Sequence, residues 1–293
     1  MPEREFDVIV WGATGFTGQL VVEYLVETYG VGGDLNWAIA GRNRGKLEAL
    51  RHTCLPGSER DALQIVVADS NDAVSVADMV RRARVMCTTV GPYAKYGTPL
   101  VAACVEAGTH YCDLTGEVQW MMRMISGYQQ AAESSGARIL HTCGFDSVPF
   151  DMGVWYVQQL MFERHGHYAS QVKGRAGKAM GAFSGGTVAS ILNMMEEARE
   201  DPSIMKEAAN PYALYPAGVP PGRDGPDQRG PVYDPDFGQW TSPFMMAAIN
   251  TRVVRRSNAL LGFPWGEDFR YDEATLNVSR SRALLASAAG GLG

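Results

Sequence analysis

A strand that runs straight into three evenly spaced glycines, and from there into a helix, leaves a chain few folds to choose from. Val8-Ile9-Val10-Trp11-Gly12-Ala13-Thr14-Gly15-Phe16-Thr17-Gly18 has that order. The apolar run from Phe6 to Trp11 is what a strand buried on both faces requires. Gly12 lets the chain turn sharply at the strand end. Gly15 removes the Cβ that would block a phosphate, and Gly18 lets the next helix sit close to the sheet. Thr14 and Thr17 offer hydroxyls, Phe16 lies between them, and the first N–H groups of the helix point at an anion. The amphipathic run Leu20 to Val26 supplies the helix. Glycines alone also make ligand-free turns, but strand, turn and helix together are the setting in which a dinucleotide pyrophosphate is held. The helix dipole adds only about 0.3–1 kcal/mol, so directional hydrogen bonds must supply most of the affinity.

The second strand candidate, Trp37 to Ala40, ends in Gly41-Arg42-Asn43-Arg44. A chain selecting NAD usually carries Asp or Glu here to accept from the ribose hydroxyls. Arg42 stands there instead, with Arg44 and Lys46 behind it. A guanidinium can grip a 2′-phosphate in a fork and lie flat on adenine. One charge-assisted hydrogen bond of about 1.5–3 kcal/mol predicts a ten- to hundredfold preference for NADP over NAD.

Up to about residue 150 the pattern alternates strand and helix. Strands are expected at 64–69, 85–90, 109–114 and 137–141, and helices at 73–82, 98–107 and 118–135. Such units specify a doubly wound parallel sheet of Rossmann type, an α/β fold with helices on both faces. Ligands bind at the carboxyl ends of its strands. Gly12, Arg42, Asp69 (near the adenine edge), Gly91, Pro92, Tyr93, Asp113 and Asp146 are therefore expected along one edge. With 293 residues the chain has room for two domains, read as 1–150 for the nucleotide and 151–293 for a partial α/β (α+β) substrate domain. In the second, Ser184-Gly185-Gly186-Thr187 introduces a helix over 188–200. Eight prolines between Pro211 and Pro243 predict a long Pro/Gly-rich surface loop, a mobile cover over a site, and 273–285 reads as helical.

The net charge of −6 speaks against sequence-independent nucleic-acid binding. Neither a signal peptide nor an apolar run of membrane-spanning length is seen, and five scattered cysteines without C-x-x-C spacing read as reduced thiols, so a cytoplasmic protein is expected. Cys112 and Cys143 lie near strand ends, where a buried structural role is expected. His165-Gly166-His167 lacks further ligands in register, and no metal is implied.

Five motifs occur in order: Gly12-Ala13-Thr14-Gly15-Phe16-Thr17-Gly18; Ala40-Gly41-Arg42; Gly91-Pro92-Tyr93 with Tyr96-Gly97; His110-Tyr111-Cys112-Asp113-Leu114-Thr115-Gly116-Glu117; and Gly144-Phe145-Asp146-Ser147-Val148-Pro149. Together they resemble the saccharopine dehydrogenase-like family, and within it the bacterial trans-acting enoyl reductase branch. The resemblance is specific over residues 6 to 160. It implies a Rossmann domain carrying NADP (NADPH) and an inserted α/β substrate domain. It also implies reduction of double bonds in polyketide-derived lipid chains carried by a synthase. Family members continue past the point where this chain stops, so an incomplete second domain is expected.

Enoyl reduction needs a hydride donor, a proton for the α-carbon and polarisation of the conjugated carbonyl. None of the twelve tyrosines is followed by Lys four positions on, which argues against short-chain dehydrogenase catalysis. Tyr93 and Tyr96, after the fourth strand, are candidate proton donors, and Asp113, Glu117 and Asp146 candidate substrate-orienting groups. The same carboxylates can cap helices, the role expected of Asp146 with Ser147 beside it and Pro149 near the helix start. The catalytic assignment stays open at this point. Two other functions stay open with it: a saccharopine-type amino-acid dehydrogenase, with Arg175 and Lys178 holding carboxylates, and an inactive nucleotide-binding scaffold. Met180, Met194, Met195, Met205, Met245 and Met246 suit a lipid acceptor, although methionine also fills cores. Peripheral membrane contact and a homo-oligomer are both compatible with the sequence.

Overall fold

The computed structural model describes residues 3–177 and 185–290. Lys178, Met180, Ser184 and the glycine-rich end at 291–293 lie outside the described residues. The chain forms two compact units, one of Met1–Cys143 with Phe183–Glu196, the other of Gly144–Ala182 with Glu197–Gly293.

The first unit alternates strand and helix: β1 (Phe6–Trp11), α1 (Phe16–Tyr29), β2 (Trp37–Gly41), α2 (Arg44–Cys54), β3 (Gln64–Val67), α3 (Ala73–Arg81), β4 (Ala83–Thr88), α4 (Tyr93–Ala107), β5 (His110–Cys112), α5 (Val118–Ser135) and β6 (Ile139–Leu140). All six strands are parallel, in the order β3-β2-β1-β4-β5-β6. The order reverses between β1 and β4, which share Val10↔Cys87 and Trp11↔Thr88 register, and the crevice beyond their carboxyl ends is where such a sheet takes its ligand. Helix α1 packs on α2, while α3, α4 and α5 pack in series. The core beneath α1 and α2 joins Val10, Val22, Ile39, Leu47 and Leu63, all fully buried. Each such side chain contributes about 1.5–3 kcal/mol by leaving water.

Helix α4 begins at Tyr93 rather than at 98, so Tyr96 is helical. Its start has no cap of its own, because Pro92 at the N-cap offers no side-chain acceptor. The carboxylate of buried Glu117 takes that place, accepting the N–H of Tyr93 at 2.8 Å and of Ala94 at 2.9 Å.

The second unit contains α6 (Val148–His165), β7 (Gln171–Ala176), the end of α7 (Gly185–Glu200), α8 (Ser203–Ala208), β8 (Val232–Asp234), β9 (Gln239–Pro243), α9 (Ala247–Leu260), β10 (Arg270–Asn277) and α10 (Arg280–Gly290). Its mixed sheet runs β7-β10-β9-β8. Two expectations are corrected here. Residues 273–277, read as helix, are the end of β10, because pairing with both β7 and β9 outweighs the local preference of Glu273 and Ala274. The stretch 211–243 is not a loop throughout: β9 is an inner strand, and β8 fits between Pro231 and Pro235.

Arginines of α9, Arg252 and Arg255 buried and Arg256 half-buried, strap the first part of that stretch. Arg255 binds Asp224 at 2.6 Å and the carbonyls of Pro211 and Tyr271, each at 2.9 Å. Arg252 binds Asp227 and the carbonyl of Ala209, and Arg256 the carbonyl of Leu214 at 2.7 Å.

Candidate functional site

The glycine turn explains itself in atoms. Gly12 has φ of +87°, and a Cβ there would lie 2.7 Å from Val90 Cγ2 and 2.8 Å from Thr89 Oγ1. Thr89 latches the ends of β4 and β1 together, its N–H on the Trp11 carbonyl at 2.9 Å and its hydroxyl on that of Gly12 at 3.2 Å. Gly18 is tighter still, with the Gly12 oxygen 2.1 Å from where a Cβ would stand. At Gly15 a Cβ would meet only the Gly12 oxygen, at 3.3 Å, leaving the space above it open. Packing alone therefore demands glycine less strongly here than at Gly12 or Gly18.

Gly15 is also the N-cap of α1 and brings no side chain to its N–H groups. The first intrahelical donor is the amide of Gln19, bonded to the Gly15 carbonyl at 2.9 Å, so the amides of Phe16, Thr17 and Gly18 precede the ladder. Neighbouring helices behave differently: Asn43 caps α2, Asp72 caps α3 and Glu117 caps α4. Helix α1 also has no acid in its first turn. These features fit a pyrophosphate. Phe16 stands beside this terminus, 72% exposed.

Arg42 follows β2 and is exposed, with no ion pair or hydrogen bond of its side chain among the described residues. Arg44 leans toward Glu48 at 3.8 Å, a weak surface pair. Asp69, just beyond β3, spends Oδ1 on the N–H and side-chain amide of Asn71, a local turn. Gly91 and Pro92 join through a cis peptide into α4. The Tyr93 ring is buried; its hydroxyl donates to the Thr88 carbonyl at 3.2 Å and accepts from the Leu114 N–H at 3.4 Å. Burial, and then the Asp113 charge, push that phenol far above its ordinary range. Tyr96 is half-buried in the second turn of α4.

Asp113, past the end of β5, is a buried hub. Oδ1 accepts the N–H of Thr115 and of Thr142, both at 3.0 Å; Oδ2 accepts the Tyr111 hydroxyl at 2.8 Å and meets His141 Nδ1 at 2.7 Å. The residue after His141, Thr142, has φ of 59°, a left-handed conformation unfavourable for a β-branched side chain. Sequence reasoning passed over this histidine, because its partner is 28 residues away and only the pairing of β5 with β6 brings them together. Glu117 was considered as a cap, but for a helix that follows; it caps the one before, and also accepts the Ser190 hydroxyl at 2.8 Å.

Asp146 belongs to the second unit, is exposed, and does not cap α6: Ser147 holds the N-cap position and its hydroxyl goes to Asn250 at 2.8 Å. Pro149 stands in the first turn of α6. Arg175 is occupied internally, by Asp234 at 2.7 Å and Asp272 at 2.6 Å. It offers no free fork to a substrate carboxylate. All five cysteines are free; Cys104 is buried, whereas Cys143 is exposed, against the expectation of a buried thiol. Met195, Met205 and Met245 are likewise exposed rather than core filling. A cleft of about 360 Å³ near Arg4, Arg81, Glu106 and Ala107 borders the amino end of β1, away from the glycine turn. Among the described residues no helix is long and apolar enough to cross a membrane, and no cluster of three or more His, Cys, Asp and Glu side chains could hold a metal.

Comparison with known proteins places this geometry in a family. Residues 8–140 match the saccharopine dehydrogenase NADP binding domain. Over 294 residues, 98% of this chain and 69% of the relative, the sequence is 42% identical to a Mycobacterium tuberculosis (strain H37Rv) protein of the trans-acting enoyl reductase group. It is 38% identical over 295 residues, again 98% of this chain and 69% of the relative, to the trans-acting enoyl reductase of Mycobacterium leprae. Among solved structures it is similar to apo saccharopine dehydrogenase (L-Glu forming) of Saccharomyces cerevisiae, at TM-score 0.41 and 17% identity over 59% of this chain and 34% of that one. The chain therefore belongs to the trans-acting enoyl reductases, NADP-binding oxidoreductases whose nucleotide domain is of the saccharopine dehydrogenase type.

Proposed function

We propose that this chain uses NADPH to reduce the carbon–carbon double bond of an α,β-unsaturated acyl group, a lipid or polyketide intermediate carried by a synthase. The observation that carries the nucleotide half is the uncapped start of α1 at Gly15, with the unpaired Arg42 guanidinium past the neighbouring strand. The amides of Phe16, Thr17 and Gly18 would hold the pyrophosphate, with the Thr14 and Thr17 hydroxyls beside them, and Arg42 the 2′-phosphate. Asp69 at the adenine side and the Gly91-Pro92-Tyr93 turn complete the proposed contacts. When bound, NADPH supplies the hydride.

The enoyl acceptor rests on the relatives, which are 38–42% identical to this chain over the aligned 69% of their own length. The internally paired Arg175 speaks against a dicarboxylate amino acid as substrate. Exposed Met152, Trp155 and Tyr156, at one-turn spacing on α6, suit a long apolar chain.

A fluorescence titration with NADPH and NADH tests the reading. NADPH should bind ten- to hundredfold more tightly, and Arg42→Ala should remove that difference. NADPH oxidation on adding a 2-enoyl thioester, but not an amino-acid acceptor, is the expected second result. Equal affinity for both nucleotides in the unaltered chain would refute the role of Arg42, and NADPH binding without oxidation would refute enoyl reduction.

A further inference from the structure

The enoyl reduction proposed above needs a proton for the α-carbon, and Tyr93 is not placed to give it. The Tyr93 hydroxyl is buried and committed to two backbone groups. Resting on that reading, we propose that His141 is the proton donor and that Asp113 is its positioning residue.

The argument begins with hydrogen-bond accounting. Asp113 accepts two backbone N–H groups and a tyrosine hydroxyl, so it stands as an acceptor toward the ring as well. The hydrogen between Asp113 Oδ2 and His141 Nδ1, 2.7 Å apart, therefore belongs to Nδ1. The tautomer is fixed, and only Nε2 is left to exchange a proton. Nε2 has no hydrogen-bond partner among the described residues and is not sealed from solvent, the side chain keeping 10% of its surface exposed. The ring cannot swing: it stands edge-on to Trp120 at 5.0 Å and to Tyr111 at 5.8 Å, both buried.

The backbone adds an independent sign. Thr142, next in sequence, is held at φ of 59° by its N–H bond to Asp113, a conformation costing about 1–3 kcal/mol that gathers at functional sites. A histidine needed only to join β5 to β6 would not require it. Both residues follow carboxyl ends of strands in the β4-β5-β6 half of the sheet, the half a dinucleotide's nicotinamide faces when its adenine lies over β2.

The step balances. NADPH, when bound, would supply the hydride, two electrons going to the β-carbon as the C=C π bond breaks and its electron pair becomes the enolate of the thioester. The Nε2–H bond of the doubly protonated ring then breaks and a C–H bond forms at the α-carbon. His141 is left neutral with its hydrogen on Nδ1, and a proton from bulk solvent, the one H⁺ that the overall reduction consumes, returns to Nε2.

The test uses the full chain, NADPH and a 2-enoyl thioester of N-acetylcysteamine, with nucleotide affinity measured in parallel. His141→Ala should lower kcat by about 10²–10⁴-fold while the NADPH Kd stays unchanged, and added imidazole should restore part of that loss. Asp113→Asn, which turns its amide NH₂ toward Nδ1 and so moves the hydrogen to Nε2 of a neutral ring, should lower kcat without imidazole rescue. His141→Gln keeps a donor toward Asp113 but holds no transferable proton. If this variant binds NADPH and retains full kcat, the proposal is overturned; if it no longer binds NADPH, His141 belongs to the fold and the proposal is overturned too. An unaltered chain that binds NADPH but leaves the thioester untouched defeats the enoyl reading itself, a different result from turnover that ignores His141.

Discussion

Replacing Glu117 with glutamine changes a single atom of the side chain and should nonetheless loosen α4. Oε1 accepts the Tyr93 N–H and the Ser190 hydroxyl, and Oε2 accepts the Ala94 N–H. A carboxamide has one acceptor oxygen, so either rotamer sets an NH₂ group against a backbone N–H. One charge-assisted hydrogen bond is lost, about 1.5–3 kcal/mol, and a buried donor is left unpaired, about 1–3 kcal/mol more. Glu117 is 3% exposed, so solvent cannot repair either defect. The expected local loss is about 3–5 kcal/mol, in the range for breaking a buried charged contact. Hydrogen exchange suits the question better than a global melt, because two units need not unfold together. Amides in the first turns of α4 should exchange at least about a hundredfold faster in Glu117→Gln, while those of α1 and α2 keep their rates. Unchanged exchange at the start of α4 would refute the claim that this carboxylate caps it.

Three further outcomes follow from the same contacts. Burial, against hydrogen bonds from Tyr271 and Asn250, raises Glu273 to about 7. The unfolded chain ionises first, near 4.5, so stability present below that pH should fall by about 3 kcal/mol as pH rises to 7, then level off. Glu273→Gln should remove that difference; parallel unfolding curves for both proteins across the window would refute it. Arg255→Met strands the Asp224 carboxylate and two carbonyls, an expected cost of about 3–5 kcal/mol that Asp224→Leu in the same chain should partly return. Limited proteolysis within 211–223 reads it, and an unchanged cleavage rate would count against the strap. Gly18→Ala forces α1 away from the Gly12 carbonyl and should abolish NADPH binding while the second unit keeps its fold; an unchanged Kd would mean that the turn is not the pyrophosphate site.

The nucleotide half was legible because its signals are local. The apolar run Phe6–Trp11 and the three glycines lie within a few residues of the strand, turn and helix start that they specify. Contacts made by the fold were not legible. Glu117 caps a helix that starts 24 residues earlier, and Asp113 meets His141 only because β5 and β6 are neighbours. In the second unit, residues 273–277 carry helix-favouring glutamate and alanine, yet two flanking strands claim their backbone. The prolines of 211–243 correctly signalled missing N–H donors, but not the arginines that would answer them. Arg175 was noticed as a cation, and its three-dimensional neighbours cancel the role first considered for it.

Those arginines have a consequence for how this chain could be lengthened. Arginine only donates, and the carbonyls and carboxylates it meets here accept, so residues 209–227 are fastened by side chains of α9, ahead of the β8–β9 ladder. The fastenings fall in two groups, at Ala209, Pro211 and Leu214, and at Asp224 and Asp227. Between them the span 217–221 is largely exposed. Doubling the length of a span closed at both ends costs only about 0.6 kcal/mol. Foreign residues spliced in between Ala217 and Pro221, a tag or a docking peptide, would leave the anchors at both ends in place, whereas the same graft between Asp224 and Asp227 would pull both carboxylates off their arginines.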